Sequence, residues 1–188
     1  MKTTRKITYT AVLLALLIVL QWATKSLGQF VTGSCVNCVL TVAALLVGWQ
    51  GGLAVAVVSP FVAFLLSIGP KNIAIVPAIA VGNAVLVLVL WLFLNKKFSV
   101  LRAVLGVVCA AGAKFLTLYL LVVQVLCRVL TLPEKQAAMF GTMFSWPQLV
   151  TALIGAGHSV KSAAYRYESV RINSAPYTIA GVDVKAVR

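Results

Sequence analysis

Hydrophobic runs of about 18 or more residues recur along this chain, each long enough to cross about 30 Å of hydrocarbon as a helix. The first, "ITYTAVLLALLIVLQWAT" from Ile7 to Thr24, is followed at once by Lys25. A water-soluble protein of 188 residues could not hide this much apolar surface, since 62% of its residues are hydrophobic and 10% charged. An average soluble domain is about 25% charged. The expected fold is an all-α integral membrane protein, with six transmembrane helices in one bundle and both termini cytoplasmic.

The spans can be drawn at about 7–24, 34–49, 52–68, 73–94 and 103–130. A sixth begins near Glu134 or at "SWPQ", where Ser145 would cap it and Pro147 would sit in its first turn. It fades near Gly157. The expected division is a six-helix transmembrane domain over 1–157 and a polar, basic cytoplasmic tail over 158–188. The basic N-terminus imitates a signal peptide, but no small-residue cleavage site follows the apolar run, so it reads as a retained first span.

A net charge of +13 raises the question of nucleic acid. The basic residues are scattered through short loops and termini, with no basic stripe interleaved by aromatics as a nucleic-acid groove needs. Counting Lys and Arg with the N-terminus inside gives eleven on the inner side and four on the outer, with Lys114 left within the membrane. That asymmetry follows the positive-inside rule. Trp22 and Trp146 fall at outer span ends and Trp49 and Trp91 at inner ends, as an interfacial aromatic belt requires.

No Asp or Glu lies within a span, so the carboxylates that often bind a driving ion in proton- or sodium-coupled carriers are missing. No phosphate-binding loop motif is present either, and uphill transport would need another subunit to supply energy. Nor can an enzyme be assembled. The single histidine, His158, sits at an inner span end, and no Ser-His-Asp set, carboxylate pair or metal-ligand cluster appears. Cys35 and Cys38 have a Cys-x-x-Cys spacing, which a membrane thiol oxidoreductase would use. Such an enzyme needs a second pair on the same side, and Cys109 and Cys127 lie about 27 Å apart along a helix. A self-sufficient small transporter or channel is the other alternative.

A few polar residues sit where burial in a membrane is costly. Asn72 and Asn83 are about three turns apart on one face of the fourth span. Lys114, Thr117, Gln124 and Arg128 share an arc of roughly 80° on the fifth, with Lys114 at the depth of Asn83. Lys114 either bonds carbonyls and Asn83 structurally, or snorkels, or contacts substrate. Gln148, near the outer start of the sixth span, could close the cavity, while Tyr119 points away from the stripe. Asn37 begins a small and polar face on the second span with Thr41, Ala44 and Gly48. Ala11 and Ala15, four apart on the first span, form a small-xxx-small pair of the kind that lets helices approach closely in lipid. A basic pocket without acids favours a ligand with a carboxylate or phosphate.

Six spans, cytoplasmic termini, a basic N-terminus, the Ala11/Ala15 pair and the stretch "GPKNIAIVPAIAVGNA" together resemble the substrate-binding S component of an energy-coupling factor (ECF) transporter, a bacterial vitamin-uptake family. The resemblance covers about 1–157. It implies that Ala11 and Ala15 dock onto a transmembrane coupling subunit carrying two cytoplasmic ATPase subunits. It also implies that Asn37, Asn72, Asn83, Lys114, Gln124 and Gln148 are pocket positions for a vitamin, with no catalytic residue, metal or cofactor. The long polar tail departs from the family's pattern.

Overall fold

The computed structural model describes residues 3–68, 72–95, 99–129 and 133–174, and the short pieces 178–179 and 182–183. Its helices are α1 (Thr3–Thr24), α2 (Gln29–Leu46), α3 (Gly48–Leu65), α4 (Val76–Leu94), α5 (Val100–Leu118), α6 (Glu134–Met143) and α7 (Trp146–Ser174). Six helical stretches among the described residues are long and apolar enough to cross a membrane, the sixth running from Glu134 to Tyr165 through α6 and α7. The only strand pairing described is a two-residue ladder joining Thr178–Ile179 to Val182–Asp183.

Short turns force neighbouring helices antiparallel. A single 3-10 turn, Lys25–Leu27, joins α1 to α2, and Gly28 closes it at φ +87°. Gly48 opens α3 directly after Val47 at φ +77°. Both angles lie where a Cβ is strained and glycine is not. The second helix starts at Gln29, five residues before the expected Ser34. Phe30–Ser34 is therefore helix and not loop. Gly48 belongs to α3 and not to the α2 face. The fifth stretch keeps going past α5 as a π-helix, Tyr119–Leu126.

One half of the bundle is packed solid. Leu13, Leu17, Leu40, Val55, Leu86 and Leu90 fill it together with the alanines at 43, 44, 56, 103, 110, 111, 152 and 156. Lipid tails are as apolar as these side chains, so close packing and not water exclusion holds helices together here. Small residues serve that packing. A Cβ on Gly155 of α7 would collide with Ser34 O, and would meet Asn37 Cβ and Cys38 N at 2.8 Å. The other half holds a smaller cluster of Ile75, Ala78, Leu118, Val122, Phe140 and Phe144. There the helices stand apart.

The aromatic residues mark the two ends. Trp49 and Trp91 rings lie 6.3 Å apart at the solid end. At the hollow end Trp146 packs on Phe30 at 5.5 Å, and Lys25 Nζ lies 5.9 Å from the Trp22 ring. The pairing of tryptophans expected from the sequence is the pairing found.

The sixth stretch starts where expected, at Glu134 with α7 following at Trp146, and differs in its cap and at its far end. Pro147 does sit in the first turn of α7, but Ser145 Oγ turns back to donate to Thr142 O at 3.0 Å. The helix then continues past Gly157 to Ser174. Within it the serine hydroxyls bond back to the preceding turn, Ser159 Oγ to Gly155 O at 3.1 Å and Ser162 Oγ to His158 O at 3.0 Å. The change to polar composition at 158 is a change of surroundings and not the end of the helix.

Candidate substrate-binding site

The hollow half contains a cavity of about 910 Å³. Its wall comes from α1, α2, α3, the Asn72–Ile75 entry to α4, α4 itself, α5, α6 and the start of α7. At its floor stands Lys114. The Lys114 ammonium donates to Asn37 Oδ1 at 2.5 Å and to Asn83 Oδ1 at 2.7 Å. All three side chains are at least 97% buried. Asn37 is also 3.4 Å, through Nδ2, from Thr151 Oγ1. One lysine thus ties α2, α4 and, through Thr151, α7 to α5.

The depth of this cluster follows from the helices. Asn37 is ninth of the 18 residues Gln29–Leu46 (37 − 29 + 1), and Asn83 is eleventh of the 22 in Ile73–Leu94 (83 − 73 + 1). Lys114 is fifteenth of the 30 in Val100–Val129 (114 − 100 + 1). Each lies at the middle of its span, where an unsatisfied polar group is most costly. The cluster therefore separates the packed half from the hollow one.

Above the floor the wall is mostly apolar, with Phe64, Ile68, Ile79, Met139, Phe140, Met143 and Phe144 facing inward. Polar side chains interrupt it, Lys25, Gln29, Thr32 and Gln136 among them. Asn72 lines the cavity and its Oδ1 also accepts from Ala74 N at 3.0 Å, capping the short turn into α4. Gln148 lines it while donating to Met143 O at 3.2 Å, which pins the α6–α7 corner. Gln21 lines it with an Oε1 that is buried and has no partner among the described residues.

Five of the six pocket residues expected from the sequence meet here: Asn37, Asn72, Asn83, Lys114 and Gln148. Gln124 does not. Its Nε2 donates to Tyr119 Oη at 3.0 Å and its Oε1 accepts from Arg128 at 2.8 Å, outside the cavity wall. The reason is the π-helix. Its i→i+5 bonds spend an extra residue per turn, so an arc drawn at 100° per residue loses register after Leu118. The same shift brings Tyr119 to Gln124, against the expectation that it points away.

Other wall residues lay unread. Gln136, Met139, Phe140 and Met143 follow an i, i+3, i+4, i+7 pattern in "EKQAAMFGTM" that puts them on one face. Gln21, a lone amide beside Trp22, could have been found by asking what an interfacial glutamine faces. The cysteines take no part. All four are free, and Cys38 Sγ lies 3.1 Å from Ser159 Oγ. No group of three His, Cys, Asp or Glu that could hold a metal occurs among the described residues.

Six membrane-length stretches, closed at one end and hollowed around a buried polar floor at the other, define a membrane-embedded subunit that binds a small solute. Residues 5–161 match the family described as the ECF transporter, substrate-specific component, and the chain belongs to that family. It is a multi-pass membrane substrate-binding subunit of an ECF transporter and not an enzyme. Comparison with curated proteins and with solved structures returns no match.

Proposed function

We propose that this chain is the high-affinity binding subunit for uptake of a water-soluble vitamin or related micronutrient. It lies in the bacterial plasma membrane with both termini cytoplasmic and the cavity toward the outside. Transport is energised by a separate transmembrane coupling subunit with two cytoplasmic ATPase subunits. The observation that carries this reading is the cavity itself. It is large enough for a vitamin-sized molecule, it lies at the end of the bundle that carries Trp22 and Trp146, and among the described residues no carboxylate in its wall could bind a driving ion.

Ala11 and Ala15 support the partner reading. Both are exposed on α1, on the side away from the buried Leu13 and Leu17. A small-residue face turned out of the bundle is available to a helix of another subunit.

The test is uptake and co-purification together. Tagged protein expressed with its native genome background should retain a coupling subunit and two ATPases, and cells lacking that module should lose uptake. Uptake that persists without the module would refute the reading.

A further inference from the structure

Lys114 is a basic side chain held by two neutral amides. An ammonium has three N–H donors, and Asn37 Oδ1 and Asn83 Oδ1 take two of them. Neither amide supplies counter-charge. Among the described residues no Asp or Glu lines the cavity, and Glu134, at the start of α6, lies outside its wall. A buried charge is ordinarily paired, because an ion taken out of water is stabilised chiefly by an opposite charge nearby. The cavity opens directly onto Lys114.

One more feature shapes what would enter. A volume of about 910 Å³ is far larger than an inorganic ion needs, and most of it is walled by Phe64, Phe140, Phe144 and neighbouring aliphatic side chains.

We propose that the substrate is an amphiphilic organic anion bound head first. Its carboxylate or phosphate sits on Lys114 Nζ at mid-membrane, and its apolar body lies along the Phe64, Phe140 and Phe144 wall. Asn37 and Asn83 are positioning residues that hold the ammonium toward the cavity. The inference rests on the binding-subunit reading above and adds the chemical class and orientation of the substrate.

The experiment compares small molecules released by denaturation from three full-length proteins purified in parallel: wild type, Lys114→Met and Asn83→Asp. Aqueous and lipid extracts are read separately by mass spectrometry in both polarities. Asn83→Asp keeps size and gives Lys114 an internal counter-anion, so it displaces a ligand anion without removing the lysine. The expected result is a water-soluble carboxylate or phosphate at least tenfold more abundant in wild type than in either variant. A thermal unfolding scan confirms that Asn83→Asp is folded.

A neutral or cationic solute, an anionic phospholipid in place of a soluble anion, equal retention by wild type and folded Asn83→Asp, or no retained solute at all overturns the proposal. Partner subunits are scored in the same preparations. Partners retained with a neutral solute sink the anion alone, and an anion retained without partners sinks the coupling-module reading alone.

Discussion

Lys114 Nζ lies 2.7 Å from Asn83 Oδ1, and this bond joins α5 to α4 at the middle of both spans. With Asn37 Oδ1 at 2.5 Å it makes the lysine a three-helix tie. Hydrogen bonds to charged groups contribute about 1.5–3 kcal/mol, and an orphaned buried donor costs more than a donor removed. Asn83→Leu should therefore lower the thermal midpoint in detergent by the equivalent of about 1–3 kcal/mol. The double variant Asn37→Leu/Asn83→Leu should be less stable than Lys114→Met, which removes the charge along with its bonds. Thermal scans showing Lys114→Met as the least stable of the three would contradict this account.

That tie was partly legible in the sequence. Asn83 and Lys114 stand out because polar groups within apolar spans are few, and counting residues from span ends puts them at one depth. Their bonding to Asn37 was not legible, since it depends on how α2 leans against α7 through Gly155. Gln124 shows the opposite failure. A wheel at constant pitch placed it on the Lys114 stripe, and the π-helix Tyr119–Leu126 rotated it off. The α6 wall was written in an i, i+3, i+4, i+7 pattern but hidden by low hydropathy. The length of α7 was hidden because polar composition was taken for the end of a helix.

The misplacement of Gln124 makes a contrast with Gln148. Gln148 lines the cavity and pins the α6–α7 corner, whereas Gln124 is engaged by Tyr119 and Arg128 outside it. Gln148→Ala should weaken retention of the co-purifying solute several-fold, and Gln124→Ala should leave it unchanged. Quantitative mass spectrometry of extracts from the two variants decides the matter, and a larger loss for Gln124→Ala would return it to the pocket.

Gly155 and Gly157 differ in the same helix. A Cβ at Gly155 would press on Ser34 O and on Asn37 and Cys38, whereas at Gly157 nothing lies within 4 Å. Over-packing a close helix contact costs about 1–3 kcal/mol. Gly155→Val should push α7 from α2, lowering the thermal midpoint and disturbing the Asn37–Thr151 contact, so that solute retention falls as well. Gly157→Ala should be neutral or slightly stabilising, since Ala is the better helix former by about 1 kcal/mol. Equal destabilisation by the two would mean that the α2–α7 approach is looser than the geometry gives.

Ala11 and Ala15 test the partner reading without touching the cavity. Both face out of the bundle, on the side of α1 opposite Leu13 and Leu17, and neither lines the cavity. A tryptophan there meets lipid in the isolated subunit, which an apolar ring tolerates, but it blocks the close approach that small residues permit. Ala11→Trp and Ala15→Trp should each leave the thermal midpoint and the retained solute as in wild type. Each should abolish recovery of the coupling subunit and reduce uptake to background. The pattern to look for is a separation of binding from transport. If uptake stays at wild-type level while both tryptophans are present, coupling runs through another face of the bundle.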